Sequence, residues 1–338
     1  MKRLLSVVPL FFLAAWLGGC LPSERPDARN STPQPDVAAE AEPSSRPAAG
    51  NASEKVASAD GPVTPDQLQA ALKEKNPNFT GTVDTQLGPQ GIAVVVLNDP
   101  AIEDISPLAG LPLYVLDLHD CHIDRIDSLQ GMRLARIDLS NTAVSDVSVL
   151  SGMPLELAYF NNSRVTAAPS LSAVPMQIVD FSDTPLTNLD GLKGATIGEL
   201  YLVNTKVKDI GPLREARVRS VWLNNAPVED CSPLAENPVV SVTLAGTKVS
   251  DISCFKGHST LQRLHIAETE VTDLSPLQWM GGLTRLIFTP NRVKTGIEYA
   301  RRMPSIQEIG TAFGTPGDEG KMFPPEVFWQ MYDEGKFK

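Results

Sequence analysis

The chain has 338 residues, 40 of them acidic and 29 basic, giving a net charge of −11. That balance argues against a nucleic-acid partner, because phosphate contacts dominate such binding and need a basic surface. The sequence holds no phosphate-binding loop, zinc-protease helix, nucleophile elbow or EF-hand loop, and only four histidines, so neither an enzyme nor a cofactor is expected.

Residues 1–19 begin with Lys2 and Arg3, continue as an apolar run from Leu4 to Trp16, and end on Gly18 and Gly19. This is the pattern of a secretory signal peptide. The run spans roughly 20 Å as a helix, short of the ~30 Å hydrocarbon core that a permanent span must cross. Leu17-Gly18-Gly19-Cys20 resembles the lipobox of bacterial lipoproteins, in which the cysteine becomes the lipidated first residue. The resemblance implies anchoring to the membrane through Cys20, in the bacterial cell envelope. Leu21, rather than Asp, follows the cysteine and leans toward the outer membrane. Residues 20–62 then carry seven prolines and nine alanines and no aromatic residue. Such a segment cannot bury enough apolar surface to fold, and reads as a tether about 35–40 Å from end to end.

A helical cap is expected over 63–90. Thr64 is placed to cap a helix through Gln67–Lys75, with Pro65 at its first position, and Asn76-Pro77 ends it.

From 91 to 294 one pattern recurs every 21 residues. Leu134, Ile137, Leu139, Thr142, Val144, Val147 and Leu150 are matched by Ile197, Leu200, Leu202, Thr205, Val207, Ile210 and Leu213. A strict period means a solenoid, in which each unit buries its apolar face against its neighbours. About ten strands are expected, centred near Val95, Leu116, Ile137, Ala158, Val179, Leu200, Val221, Val242, Leu264 and Leu286. Leu200-Tyr201-Leu202 alternates as a half-buried strand should. Pro212 stops any long helix after it, and 21 residues leave no space for a strand and a full helix. The unit L-x-x-L-x-L-x-x-T-x-V-x-D-I-x-P-L resembles the leucine-rich repeat, in the short form of internalin-like bacterial surface proteins. The resemblance covers about 200 residues. It implies an α/β solenoid with a parallel concave sheet, short 3₁₀ or extended convex segments and helical caps at both ends.

The C-terminal cap, 295–338, is expected to hold a helix at Gly296–Met303, a partial strand around Ile306 and Ile309, and a helix at Glu326–Asp333. Phe328, Trp329 and Tyr332 read as cap packing. Capped ends predict a monomer.

Three cysteines follow Cys20. An odd number at such repeat positions does not look like a disulfide framework, and Cys231 reads most simply as a small buried hydrophobe. A Cys231–Cys254 bridge between adjacent repeats is the alternative in an oxidising compartment, although the two occupy different positions in the repeat. The cluster His119-Asp120-Cys121-His122 points in different directions and predicts no metal site. The recurring Thr142, Thr184, Thr205, Thr247 and Thr269 have no base beside them and read as structural hydroxyls. Asp146, Asp209, Asp230, Asp251 and Asp273 read as caps of the convex turn.

The concave face carries the functional signal. Its central positions are Val96, Asp117, Asp138, Tyr159, Asp180, Tyr201, Trp222, Thr243, His265 and Ile287, read as exposed. Tyr159, Tyr201 and Trp222 are large aromatics of the kind that dominate interface energy, flanked by Asn161 and Asn224. Asp117, Asp138 and Asp180 make one end negative; Arg263 and Arg285 make the other positive. The expected function is capture of a protein partner on this face. A carbohydrate or peptidoglycan ligand, and a spacer without a ligand, are the alternatives.

Overall fold

The computed structural model describes residues 62–312 and 321–337; the signal peptide, Cys20, most of the tether, 313–320 and 338 lie outside the described residues. Helix α1 (Pro65–Lys75) starts as the sequence predicts. The Thr64 hydroxyl accepts from the Gln67 N–H, and the Gln67 side chain accepts from the Thr64 N–H, forming a reciprocal cap. Leu68 and Leu72 bury one face of it.

Thirteen strands follow in one sheet, each hydrogen-bonded to the next in chain order. Ten of them, β2 (Gly91–Val96) to β11 (Arg285–Phe288), are parallel and fall on the predicted centres. Between them these are β3 (Val115–Asp117), β4 (Arg136–Asp138), β5 (Leu157–Tyr159), β6 (Met176–Asp180), β7 (Thr196–Tyr201), β8 (Arg217–Trp222), β9 (Ser241–Thr243) and β10 (Arg263–Ile266). Their pairing is in strict register, so that Leu116, Ile137, Ala158, Val179, Leu200, Val221 and Val242 form one inward row. All seven are buried, as is the row two residues on: Leu118, Leu139, Phe160, Phe181, Leu202, Leu223 and Leu244. Phe160 and Phe181 stack inside it at 4.9 Å between centroids.

The remaining three strands lie in the caps, and two of them depart from expectation. The segment 63–90 is not wholly helical. It ends in β1 (Asp84–Gly88), which pairs antiparallel with β2 and closes the first edge of the ladder. At the other end β12 (Glu308–Gly310) continues the parallel row, and β13 (Met322–Phe323) pairs antiparallel with it. An open parallel edge is a template for unwanted strand addition, and both hairpin strands cover one. Helices α2 (Ile297–Arg302) and α3 (Pro325–Asp333) complete the C-terminal cap. Phe328 is buried against Phe288 at 5.6 Å and Phe337 at 4.8 Å, the packing role expected of the aromatic cluster.

The convex connections are 3₁₀ turns, such as Gly211–Glu215 and Ser232–Leu234. The fourth repeat, which begins with β5, lacks one. Its residues Ala167–Leu171 run extended beside the next unit, so close that a side chain on Gly191 would strike the carbonyls of Ala168 and Pro169 at 2.3 Å. Cys231 and Cys254 are joined as a disulfide, with Cα atoms 6.3 Å apart, and Cys121 is free and buried.

Candidate functional site

Each repeat turns its chain twice, and specific polar side chains fix both turns. After each strand a residue takes the left-handed conformation: Asp120, Asn141, Asn162, Asp183, Asn204 and Asn225, then Gly246, with φ between 55° and 70°. Asn, Asp and Gly tolerate that region best. The side chains form a ladder along one rim of the sheet. Asn141 Nδ2 donates to Asp120 Oδ1 at 2.7 Å, Asn162 to Asn141 at 2.7 Å, Asn204 to Asp183 at 2.7 Å, and Asn225 to Asn204 at 2.8 Å. This ladder is visible as a 21-residue repeat of Asn and Asp, yet the aliphatic positions alone do not reveal it.

The threonines work beside it. Thr142, Thr184, Thr205, Thr247 and Thr269 are buried, and each hydroxyl donates to the carbonyl three residues back at 2.6–2.9 Å. On the convex side the carboxylates of Asp146, Asp209, Asp230, Asp251 and Asp273 accept from the N–H two residues on at 2.7–2.8 Å. Strand, left-handed turn, buried threonine and capped 3₁₀ turn recur in a fixed order. The fold is a leucine-rich-repeat solenoid.

The solenoid's sheet places the predicted site residues in one row. The register runs Asp117, Asp138, Tyr159, Asp180, Tyr201, Trp222 across β3 to β8. At about 4.8 Å per strand this stripe is about 24 Å long. All six are half-buried. Tyr201 and Trp222 stack face to face, 4.2 Å between centroids and 8° between planes. The Tyr201 hydroxyl donates to Glu199 at 2.7 Å. Burial, then the Glu199 carboxylate, push its pKa well above the ordinary tyrosine value. The Arg136 guanidinium lies 5.9 Å from the centre of the Tyr159 ring, within cation–π range.

The asparagines sit two residues on, just past the ends of β5 and β8. Asn161 Oδ1 accepts from the Ser140 hydroxyl at 2.7 Å. Asn224 presents a buried Oδ1 with no partner among the described residues.

The far end of the row differs from expectation. Thr243, His265 and Ile287 are 8%, 8% and 2% exposed, not open positions. They share a shallow pocket of about 230 Å³ with Trp222, Glu199, Arg263 and Arg285, whose longer side chains wall them in. Arg285 is also ion-paired with Glu308 of β12, so the positive end is partly neutralised.

Near the other end the structure brings together a trio that the local run His119–His122 does not show. Asp117, His119 and Asp138 place one ligand-type atom each within 4.8 Å of the others. Of the four residues in that run only His119 belongs to the trio; Cys121 is buried, its thiol pushed up to about 12 by burial. His119 Nδ1 lies 2.7 Å from Asp117 Oδ1. Burial disfavours the imidazolium, but the hydrogen bond it donates to Asp117 and the charges of Asp117, Asp138 and Asp120 outweigh it and raise the His119 pKa. Ser140 stands opposite His119 on the next repeat. Its hydroxyl is engaged by Asp138 at 2.5 Å and Asn161 at 2.7 Å, so this pair offers no nucleophile activated by a base.

No protein-family model and no curated protein matches the sequence. Solved structures similar to this chain include an internalin (inlF) from Listeria monocytogenes, 14% identical, with a TM-score of 0.42 over 73% of this chain and 88% of that one. Internalin C2 from the same organism is 17% identical, with a TM-score of 0.36 over 74% and 94%. A chain of the mouse RP105/MD-1 complex is 20% identical, with a TM-score of 0.45 over 66% and 42%. The solenoid assignment rests on this chain's own repeat geometry.

Proposed function

We propose that this chain is a binding module of the bacterial cell envelope, lipid-anchored through Cys20, that captures a partner protein on the concave face of its sheet. The stacked, half-exposed Tyr201–Trp222 pair carries the reading. Aromatic anchors with restricted motion are the groups that most often dominate a protein interface. Cross-strand packing rewards such a pair by about 0.5–1.5 kcal/mol, but the solenoid's stability does not require it on the outer face. The row also holds three carboxylates, Asp117, Asp138 and Asp180, within six strands. A protein partner fits better than a glycan. The stack closes one face of each ring, and the faces left open lie beside a row of carboxylates, which suits the charged side chains of a protein better than a neutral sugar.

The test is crosslinking in cells with the full-length protein, compared with a Tyr201→Ala/Trp222→Ala variant whose circular dichroism is unchanged. A protein recovered with the native chain and lost from the variant supports the reading. Equal recovery from both moves the binding surface elsewhere. Binding of the native chain to a glycan array that the variant loses, with no protein recovered from cells, makes the ligand a carbohydrate.

A further inference from the structure

Resting on the concave face as the binding surface, we infer that the stretch between Tyr159 and Tyr201 is a slot for a single cationic side chain, an arginine of the partner protein, held over Asp180. The register places Asp180 directly between the two tyrosines, with Tyr159 on one neighbouring strand and Tyr201 on the other. Two strand spacings separate the aromatic positions, about 9.6 Å. With both rings standing over their strand positions, a cation midway between them falls inside the ~6 Å reach of a cation–π contact.

Both rings are supported from the side away from Asp180. Tyr159 carries Arg136, from β4, and Tyr201 carries Trp222, from β8. Tyr201 is further fixed by its bond to Glu199. The slot is therefore held open by contacts already made, and an incoming group does not have to order its walls.

The floor has the complementary charge. Asp180 Oδ1 accepts from the Ser182 N–H at 2.8 Å, which orients the carboxylate along the strand. Asp138, one strand beyond Tyr159, and Glu199, two residues before Tyr201, add negative charge that the single Arg136 does not cancel. Leu157 and Ile178, half-buried two residues before Tyr159 and Asp180, offer an apolar shoulder for the stem of a long side chain. Arginine suits this set better than lysine, since its planar fork stacks on aromatic faces and meets a carboxylate through two parallel bonds.

The probe is the peptide acetyl-Gly-Gly-Arg-Gly-Gly-amide, with the neutral citrulline peptide as its isostere, observed by saturation-transfer NMR on the full-length chain. The slot predicts millimolar binding of the arginine peptide and at least about fivefold weaker binding of the citrulline peptide. Asp180→Asn, which keeps an acceptor for Ser182, should weaken the arginine peptide by a similar factor. Asp117→Asn, a carboxylate of the same row outside the slot, should change it less than about twofold. Equal binding of the two peptides, or an Asp117→Asn loss equal to that of Asp180→Asn, overturns the slot in favour of diffuse attraction. No binding overturns it as well. If capture in cells still depends on Tyr201 and Trp222 in that case, the concave face stands as the binding surface while the slot does not.

Discussion

The Cys231–Cys254 bridge allows the most quantitative test of how this solenoid is held. It closes a loop with a sequence separation of 23, within two adjacent repeats. The chain-entropy relation gives about 3.5 kcal/mol of stabilisation at that length, because the unfolded chain loses freedom that the folded one never had. Cys231 is 2% exposed, so alanine is the replacement that leaves no unsatisfied hydroxyl. The Cys231→Ala/Cys254→Ala variant, or reduction of the native chain, should lower stability by about that amount. With a urea slope near 3 kcal/mol/M the midpoint falls by about 1 M. The assay is urea unfolding followed by circular dichroism, with thiol labelling of the native protein in parallel. Cys121 is buried and its thiol is shifted to about 12, so the folded, oxidised chain should expose no reactive thiol among the described residues. Coincident oxidised and reduced transitions would refute the reasoning, as would labelling of Cys254 before reduction.

Other outcomes follow from the repeat. Leu200→Ala, at a fully buried position in β7, should cost about 2–5 kcal/mol in the same urea assay. Asp104, Asp146 and Asp230 are held below the ordinary carboxylate pKa, chiefly by the N–H of the serine two residues on, and Asp273 chiefly by the Ser275 hydroxyl. A depressed carboxylate contributes stability above its unfolded pKa, near 3.9, and loses it as pH falls through the lower folded value. Thermal midpoints should thus decline on acidification below about pH 4, and Asp230→Asn, which keeps the acceptor, should flatten that decline. Asp138 has the opposite sign: burial raises its pKa, so its ionised form opposes folding at neutral pH and the effect fades toward acid. Asp138→Asn should match or exceed the native melting temperature at pH 7, with the difference shrinking by pH 4.5.

The positions of β2 to β11 were legible because each strand sits on a repeated inward aliphatic row, and periodicity reports burial directly. Strands β1 and β13 were not. Asp84–Gly88 is mostly exposed and polar, and becomes a strand only because the first parallel strand offers it an edge. The stripe from Asp117 to Trp222 was legible because strict register turns sequence spacing into neighbours. His265 was misplaced for the same reason. Register says which face a residue occupies, but not that His265 is buried there, at the bottom of a row it shares with Trp222, Arg263 and Arg285. The Asp117–His119–Asp138 trio crosses two repeats, so a search for neighbours in sequence found only His119–His122.

The concave face can be tested without knowing the partner. Hydroxyl-radical footprinting of the protein in intact cells and after purification compares Tyr159, Tyr201 and Trp222 with Tyr114 and Trp279, which are 54% and 59% exposed away from the stripe. An occupied concave face predicts that Tyr159, Tyr201 and Trp222 are protected in cells while Tyr114 and Trp279 are labelled equally in both samples. Equal labelling of all five in both samples would contradict it.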